Sequence, residues 1–517
     1  PQTALETVGA AASEAFLLAG ETVPATLWVY PGINENGTLT VVDDDTGNVA
    51  ASLTLDGGTC FTWISTPFAG TGKSYTATLE NGRVIEIALR DAAGSPVAAA
   101  GGGALLDEQA AVPGVFSQLN SMYFDEIYHG RTGYEMLHKM TVYETTHPPL
   151  GKDFILLGIA LFGMTGFGWR FAGVLFGVLL VPLCGCFARR LTRKPWVGLT
   201  AACLIALDFM RFSQSRIATI DTCSTFFILL GAYCMLWYAQ SVLTRGVCRS
   251  LLPMALGGAA FGLGAASKWT GIYAGVGLAV LYFLVLGLRR RQKPARFDRE
   301  FFTTAWGGVL FFLCIPFLLY LGAYLPYWWR DPTFSLKDWW NCQTYMYWYH
   351  SQLKATHPFE SYWYTWPLLL RPVWYYMNTN LPAGSYGSIA GMGGPVLWLG
   401  GFAAVLTLFW RRLTGRGTRA GACVLILYAS QLLPWMLVTR DTFAYHYFPS
   451  SMFGLAARAR RLGDARQAKR ANKAAAALCA ASLVLMVWFY PALSGLPVPY
   501  AWAKSLLRLP SWGFYIL

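Results

Sequence analysis

Residues 124–157 read FDEIYHGRTGYEMLHKMTVYETTHPPLGKDFILL, and the rest of the chain is organised around this stretch. It opens on two adjacent carboxylates, Asp125 and Glu126, and then presents His147, two prolines and Lys152. The prolines restrict φ and lack backbone donors, so they predict an extended segment that the following glycine ends. An apolar helix is predicted next. Two acidic residues and several basic residues thus lie beside apolar sequence. This combination indicates a catalytic base that acts next to an anionic leaving group.

The composition predicts a membrane protein with an acidic domain attached. The chain of 517 residues is 55% hydrophobic and 13% charged, and its mean hydropathy is +0.39. A chain of this hydrophobic content and low charge is too apolar to be an ordinary soluble protein. Residues 1–108 hold thirteen Asp and Glu against three Lys and Arg, whereas the whole chain carries a net charge of +13. Most basic residues fall in short loops between apolar spans, where membrane topology explains them, so nucleic acid is not an expected partner.

Ten apolar stretches approach the length of about 20 residues that crosses a bilayer. They lie near residues 170–187, 197–213, 221–240, 251–267, 270–288, 303–322, 392–410, 420–438, 443–457 and 474–490. Alternate loops are rich in Arg and Lys and would be cytoplasmic, so both chain ends and the acidic pair are predicted on the outer side. Residues 326–391, on that side, are crowded with Trp and Tyr. An interfacial aromatic belt is favoured there, with stacking on sugar or prenyl groups as the alternative.

A small antiparallel β-sandwich is predicted before these spans. Its six short alternating runs are separated by Gly-containing turns: Thr26–Tyr30, Thr38–Val42, Ser52–Leu55, Phe61–Ile64, Tyr75–Leu79 and Val84–Leu89. A Gly/Ala-rich linker near 93–104 is predicted to end the domain. The run from Asp43 to Asp45 lacks the ligand spacing of a calcium loop, so a solvated turn is favoured over a calcium site. The predicted domains are 1–108 (β-sandwich), 109–169 (outer loop), 170–490 (membrane body) and 491–517 (outer tail).

The acidic pair is the candidate catalytic group. Asp125 is predicted to be the general base that deprotonates an acceptor hydroxyl, and Glu126 is predicted to hold neighbouring groups. One base suffices because a phosphate leaving group needs no acid, unlike the two-carboxylate arrangement of a hydrolase. The alternative is a loop orientated by a salt bridge to Arg131 or Lys139.

Isolated basic residues on the outer side are candidates for the charge of a departing phosphate. Arg216, Lys268 and Arg440 stand at outer span ends, where a charge is costly unless it has a function. His147 and Lys152 add to this set. For Arg216 the alternative is snorkelling to the lipid headgroups, although its polar neighbours extend to Asp221. Tyr445 and His446 follow Arg440 and either reach the same cleft or are ordinary interfacial residues.

The order of these motifs resembles the protein O-mannosyltransferases. The resemblance covers roughly residues 115–517, and the motifs that carry it are Phe124-Asp125-Glu126, His147-Pro148-Pro149-Leu150-Gly151-Lys152, Gln214-Ser215-Arg216 with Asp221, Ser267-Lys268-Trp269 and Tyr445-His446-Tyr447-Phe448-Pro449. Members of that family are membrane glycosyltransferases of the GT-C type that use a polyprenyl-phosphate sugar.

The resemblance implies a polytopic α-helical GT-C fold with eleven spans, the first of them upstream of Pro1. The N-terminal extracytoplasmic all-β sandwich domain stands in place of the β-trefoil of eukaryotic members. The implied reaction is inverting transfer of a hexose, with mannose favoured, from a polyprenyl-phosphate carrier to protein Ser or Thr. The implied location is the outer face of a bacterial plasma membrane. The acidic pair matches the family's catalytic motif, and the motifs of Arg216 and Lys268, which include Trp269, match positions near the donor phosphate.

Other functions remain open at this stage. A transferase of the same fold could move another sugar or use a lipid or cell-wall glycan as acceptor, and a lipid-carrier flippase is the alternative outside the enzymes. The implied partners are the membrane lipid carrier and an acceptor protein or peptide with Ser or Thr; the oligomeric state stays undefined. Two adjacent carboxylates could hold one divalent ion, but metal-independent chemistry is favoured because no third ligand is suitably spaced. The cysteines are predicted to be unpaired, with a Cys60–Cys342 bridge as the alternative.

Overall fold

The computed structural model describes residues 3–7, 10–34, 36–353, 356–465 and 467–515. The chain divides into two compact units. The first comprises Pro1–Tyr134 and Ile159–Trp169, and the second comprises Glu135–Gly158 and Arg170–Leu517. The first unit is built on β-strands and the second on α-helices.

Two five-stranded antiparallel sheets form the N-terminal β-sandwich. The strands are β1 (Leu5–Thr7), β2 (Ala12–Leu18), β3 (Thr26–Pro31), β4 (Asn36–Asp43), β5 (Val49–Asp56), β6 (Ile64–Pro67), β7 (Ser74–Glu80), β8 (Gly82–Arg90), β9 (Pro96–Val97) and β10 (Ala99–Gly101). The first sheet has the order β1-β8-β3-β6 with β9 paired to β8, and the second has the order β10-β2-β7-β4-β5.

The sandwich core follows from the period of two in the strands. On β7, the alternate residues Tyr75, Ala77 and Leu79 are buried, and they pack with residues of the first sheet such as Val29 and Ile87. Alternation places one face of each strand in this core and the other outside it. The predicted all-β domain is confirmed.

Two predictions about this domain are wrong in detail. The predicted linker near 93–104 contains β9 and β10, and Val97 and Leu105 are buried in the sandwich core. Their Gly- and Ala-rich sequence is tolerated because both strands are short edge strands. The predicted strand at Phe61–Ile64 begins only at Ile64, since Phe61 has a φ of +54° and cannot continue a strand.

The aspartate run at 43–45 closes a turn with its side chains. The Asp43 carboxylate accepts hydrogen bonds from the backbone N–H groups of Asp45, Thr46, Thr71 and Gly72, at 2.8–3.2 Å. These bonds tie two loops together, in agreement with the favoured turn. All eleven cysteines lie in the described part of the chain, and no disulfide bond joins any two of them there.

The second unit is mainly helical, and the helices in chain order include three that begin in or pass through the first unit. They are α1 (Glu126–Leu137), α2 (Leu150–Phe162), α3 (Gly166–Thr192), α4 (Pro195–Ala206), α5 (Phe209–Ser215), α6 (Asp221–Arg245), α7 (Leu251–Ser267), α8 (Ile272–Gln292), α9 (Pro294–Val309), α10 (Ile315–Gly322), α11 (Leu325–Arg330), α12 (Leu336–Gln352), α13 (Pro395–Leu413), α14 (Arg419–Leu432), α15 (Phe448–Gly463), α16 (Ala468–Ser494) and α17 (Tyr500–Ser505). Short strands β11 (Val373–Met377) and β13 (Ser388–Gly391) pair with each other, as do β12 (Ser385–Tyr386) and β14 (Val498–Pro499).

Within the described residues, eight helical segments are long and apolar enough to cross a membrane, and nine if the bent pair α4–α5 is one span. The predicted span at 443–457 differs most from the structure. It is a 3₁₀ turn at Ala444–Tyr447 followed by α15, which has 16 residues, ten of them buried. The chain is a multi-pass membrane protein. The predicted aromatic loop 326–391 contains α12 and the paired strands β11 and β13. Ser335 and Asp338 cap the N-terminal end of α12.

Close packing of α7 against the α9–α10 segment depends on two glycines of α7. A Cβ at Gly258 would stand 1.7 Å from the carbonyl oxygen of Phe311, and one at Gly262 would stand 2.6 Å from Cα of Pro316. Both partners belong to or follow a π-helical turn at Leu310–Cys314. The Gly-rich sequence of α7 therefore permits this close approach, and Lys268 follows directly at the C-terminal end of the helix.

Gly258→Ala is expected to destabilise the protein because the new methyl group overlaps backbone atoms that cannot rotate away. Overpacking of this kind costs about 1–3 kcal/mol. The matched control is Gly287→Ala in α8, where a Cβ meets no atom within 4 Å. Thermal unfolding midpoints in detergent measure both, and equal midpoints would contradict the close packing.

Candidate active site

The acidic pair begins α1 through a strained residue. Phe124 has a φ of +52°, a conformation that a bulky side chain rarely adopts and that often marks a functional turn. Glu126 is the first residue of α1 and is 0% exposed, and its Oε2 accepts the backbone N–H of Tyr123 at 3.3 Å. Asp125 is only half-buried. The two carboxylates therefore differ, since Asp125 is the more accessible and Glu126 binds the backbone just before its own helix.

The acidic pair belongs to the first compact unit, and the other nine predicted site residues belong to the second. These nine are His147, Lys152, Arg216, Asp221, Lys268, Trp269, Arg440, Tyr445 and His446.

Lys152 is a buried anchor of the loop before α2. Its side chain is 0% exposed, and Nζ donates to Glu144 Oε2 at 2.6 Å, to the Glu144 carbonyl at 2.8 Å and to the His147 carbonyl at 3.0 Å. All three donors of the ammonium group are thus used within the loop. Lys152 holds the loop rather than facing a substrate, and Glu144, a residue that the sequence analysis passed over, is its counter-ion.

His147 is held by the same carboxylate. Its Nδ1 lies 3.2 Å from Glu144 Oε1, and its ring meets that of His350 edge to face with centroids 5.1 Å apart. Burial lowers the pKa of His147, and Lys268 and Lys152 lower it further, although Glu144 acts in the opposite direction. His147 is therefore neutral at physiological pH.

His350 is a site residue that the sequence analysis missed. It lies on α12, where Nε2 donates to the Thr146 carbonyl at 2.8 Å, which leaves Nδ1 as the acceptor. Burial, with the charges of Arg440 and Lys268 nearby, lowers the pKa of His350 to about 3. No spacing pattern in the sequence connects this histidine with His147, because the two are joined only by the packing of α12.

Lys268 and Asp221 form a second buried ion pair. Lys268 Nζ lies 2.8 Å from Asp221 Oδ1, and both side chains are less than a tenth exposed. Asp221 is the first residue of α6, where the helix dipole favours a negative charge. Lys268 Nζ also stands 5.6 Å from the ring centroid of Tyr445. The predicted residues Asp221, Lys268 and Tyr445 are therefore brought together.

His446 is a buried histidine near Lys268 and Arg440. It is 5% exposed, its Nδ1 accepts the Phe443 N–H at 3.0 Å, and its ring lies 4.4 Å from that of Trp435. Burial, with the charges of Lys268 and Arg440, puts the pKa of His446 well below its usual value. It is a neutral, packed ring rather than a charged one.

A cavity of about 310 Å³ gathers four of the predicted residues: His147, Lys268, Trp269 and Arg440. His350, Tyr273, Tyr347 and Trp435 also line it. Two cations, neutral imidazoles and aromatic rings thus share one cavity, and none of the described residues that line it is acidic. Such a cavity suits a ligand with an anionic group and a ring that packs against aromatic side chains.

Arg216 has its partners elsewhere. Its Nη1 donates to the Leu493 carbonyl at 3.4 Å, its guanidinium lies over the ring of Phe212, and it is not among the residues that line the cavity. The neighbouring Gln214 bonds Tyr375 Oη at 2.5 Å and Thr219 at 3.0 Å. Gln214 therefore joins α5 to β11, whereas Asp221, the other end of the predicted polar cluster, pairs with Lys268.

An apolar groove of about 550 Å³ lies next to the cavity. Its lining is almost entirely apolar and includes Phe261, Leu313, Pro316 and Tyr320. Trp269, which lines the cavity, donates its indole N–H to Tyr320 Oη at 2.9 Å. This hydrogen bond connects the lining of the groove with the lining of the cavity. In the described part of the chain no cluster of three or more His, Cys, Asp or Glu side chains could hold a metal ion.

Comparisons with known proteins identify the family. A family model described as dolichyl-phosphate-mannose-protein mannosyltransferase matches residues 160–330, and one described as the C-terminal four-TMM region of protein-O-mannosyltransferase matches residues 335–512. The chain belongs to the protein O-mannosyltransferase family. It is therefore a glycosyltransferase.

Relatives of this protein O-mannosyltransferase are found in bacteria and in yeast. The polyprenol-phosphate-mannose–protein mannosyltransferase of Mycolicibacterium smegmatis is 29% identical over 461 residues, which cover 75% of this chain and 87% of that one. The enzyme of the same name from Mycobacterium tuberculosis is 27% identical over 474 residues, with coverage of 77% and 88%. A chain of the S. cerevisiae protein O-mannosyltransferase Pmt1–Pmt2 complex bound to the sugar donor has a TM-score of 0.67 at 13% identity, covering 76% and 89%. The GT-C fold expected from the resemblance is confirmed.

Lys152→Met is expected to destabilise this O-mannosyltransferase strongly, because it leaves the buried Glu144 carboxylate without its counter-ion. Removing one partner of a buried ion pair costs about 3–5 kcal/mol. The double variant Lys152→Met/Glu144→Gln removes the unpaired charge and should recover part of the loss. The thermal unfolding midpoint in detergent reports the change, with the exposed Lys337→Met as control. Equal midpoints for the single and double variants would show that the charge pair is not responsible.

Proposed function

We propose that this protein transfers mannose from a polyprenyl-phosphate carrier to Ser or Thr hydroxyl groups of proteins, with inversion at the anomeric carbon. The names of the mycobacterial relatives support the donor and the acceptor class. The observation that carries the proposal is the cavity in which Lys268 and Arg440 stand among aromatic rings. A lipid-linked donor presents a phosphate and a sugar ring together, and this lining matches both.

Lys268 and Arg440 are proposed to bind the donor phosphate. As the sugar departs, the phosphate gains charge, and cations already in position stabilise that charge without reorganisation. Asp221 neutralises part of the Lys268 charge and holds its ammonium group in place. A free lysine would lose more rotamer entropy on binding, so the ion pair pre-organises the site.

His147 and His350 are proposed to contact the sugar. Both rings are neutral, so the cavity gains no further positive charge from them. His350 keeps Nδ1 as an acceptor for a sugar hydroxyl, because Nε2 is bound to the Thr146 carbonyl. Trp269 and Trp435 provide apolar ring surface in the same lining.

The apolar groove beside the cavity is proposed to hold the first units of the polyprenyl chain. Hydrocarbon packs there against Phe261, Leu313 and Phe317, and the Trp269–Tyr320 hydrogen bond marks the change from apolar to polar surroundings. A carrier bound in this way has its phosphate at the cavity and its chain toward lipid.

Asp125 is proposed as the general base that accepts the proton of the acceptor hydroxyl. Asp125 is the more accessible residue of the pair, and it directly follows Phe124, whose φ is +52°. Glu126 is proposed to hold the start of α1. Arg216, Tyr445 and His446 remain predicted binding residues, with Tyr445 supported by its contact with Lys268.

The active site and the β-domain are proposed to face the outside of a bacterial plasma membrane. Loops rich in Arg and Lys alternate with loops that hold few basic residues, which is the pattern of cytoplasmic and outer connections. The mycobacterial relatives support a bacterial setting. Metal-independent chemistry stays a prediction.

Asp125→Asn is expected to lower transfer by about 10²–10⁴-fold, the range that a general base contributes. Glu126→Gln should lower it far less, because the amide oxygen still accepts the Tyr123 N–H. The assay is transfer of labelled mannose from polyprenyl-phosphate mannose to a Ser/Thr-rich peptide by purified protein. Activity that survives Asp125→Asn would refute the base, and absence of transfer by the unaltered protein would refute the substrate.

Lys268→Met is expected to weaken donor binding and also to leave Asp221 as a buried unpaired charge. The double variant Lys268→Met/Asp221→Asn separates the two effects. Its unfolding midpoint should return toward that of the unaltered protein, while its KM for the donor stays at least about tenfold raised, a loss of roughly 1.4 kcal/mol. A double variant with normal donor KM would mean that Lys268 serves only stability.

A further inference from the structure

The outer face of the first sheet of the β-sandwich carries a cleft of about 290 Å³ that the transfer reaction does not use. On this face Tyr30 of β3 stands opposite Glu86 of β8 in the strand register. The segment around Leu119 and Asn120 covers the sheet and forms the opposite wall, together with Trp169. All of these residues belong to the first compact unit.

The aromatic wall of the cleft is rigid. Tyr30 stacks on Trp63 with ring centroids 5.1 Å apart, Trp63 packs on Phe116 at 4.7 Å, and Phe116 stacks on Trp28 at 4.2 Å. Arg90 lies over the Phe116 ring and donates to the Pro113 carbonyl at 2.7 Å, which fixes the covering segment. A wall built in this way loses little entropy when a ligand binds.

The Glu86 carboxyl offers hydrogen-bond acceptors in the cleft. Glu86 is 3% exposed, and its two oxygens already accept the Gln109 amide at 2.7 Å and the Glu108 N–H at 2.9 Å, so each keeps capacity for one further donor. Glu108 and Asn120 also line the cleft, whereas none of the described lining residues is Lys or Arg. A phosphate or other anion is therefore disfavoured, and a ligand that donates hydrogen bonds is favoured.

We propose that this cleft binds one hexopyranose residue of a neutral glycan. A sugar ring offers an apolar C–H surface to the aromatic wall and hydroxyl donors to the carboxyl oxygens. The cleft lies at the lower end of the size range of small-ligand sites, roughly 300–1,000 Å³, which suits a single ring. Burial raises the pKa of Glu86 to about 7, despite the hydrogen bonds that lower it, so the carboxyl both donates and accepts near neutral pH. A carboxylate that binds a cation is charged, and the burial around Glu86 disfavours the charged form.

The sugar could come from a glycosylated protein or from a glycolipid headgroup, since both present the same ring. Trp169 lies in the first turn of α3, a candidate membrane span, so a glycolipid headgroup at the membrane surface is a feasible source. The site is separate from the residues proposed for transfer, so the inference does not depend on the proposed function.

Binding of methyl α-D-mannopyranoside and methyl β-D-glucopyranoside to the full chain in nanodiscs, followed by saturation-transfer NMR and titration, tests the proposal. Leu119→Trp should fill the mouth of the cleft, since Leu119 is 65% exposed and lines it. Val115→Trp is the matched control, because Val115 is 70% exposed on the same segment and does not line the cleft. We expect at least a tenfold loss of affinity in the first variant and none in the second.

The measurement is repeated in Asp125→Asn, where binding should be unchanged even if transfer is lost. A mannosylated peptide and nanodiscs with a neutral glycolipid then distinguish the two sources of the sugar. Failure of every hexopyranoside to bind, equal affinity in the two tryptophan variants, or binding of a lysine-rich peptide in place of sugar would each overturn the proposal.

Discussion

The buried ion pair between Lys268 and Asp221 links the C-terminal end of α7 to the N-terminal end of α6. In the interior of a membrane protein neither charge is stable alone, so each end of the pair requires the other. The same helix α7 packs closely on its other neighbours, because its glycines leave room for the backbone at Phe311 and Pro316. Lys268, held by Asp221, lines the cavity of the proposed phosphate site and contacts the ring of Tyr445.

Charge in the second unit is divided between groups that hold the structure and groups that face the cavity. Lys152 donates three hydrogen bonds within the loop before α2, with Glu144 as its counter-ion. Lys268 and Arg440 instead line the cavity, and the histidines there stay neutral because burial and these cations lower their pKa values. Two fixed cations among neutral rings are sufficient to receive a phosphate while leaving hydrogen-bonding groups for a sugar.

Local sequence signals account for the parts of the fold that were predicted well. Alternation in Ser74–Glu80 and the apolar runs of α3, α6 and α8 are properties of short windows, so the sandwich and most spans follow from them. The edge strands β9 and β10 were missed because Gly and Ala carry little strand propensity, and their pairing depends on strands far away in the chain. Apolar composition also predicts a span at 443–457, because a short window cannot distinguish a helix that faces lipid from one, such as α15, whose apolar residues pack within the helical unit.

By itself, the sequence determined the class of protein, the acidic pair, and the ordered motifs that identify the family, because these depend only on residue type and spacing. Tertiary structure alone decided which of the basic residues share a cavity. It joined His350 to Thr146, 204 residues away, buried Lys152, and turned Arg216 toward Leu493. Such contacts are set by how helices pack and by which charges find a partner during burial. Neither the helix packing nor the pairing of buried charges can be read from the spacing of residues along the chain.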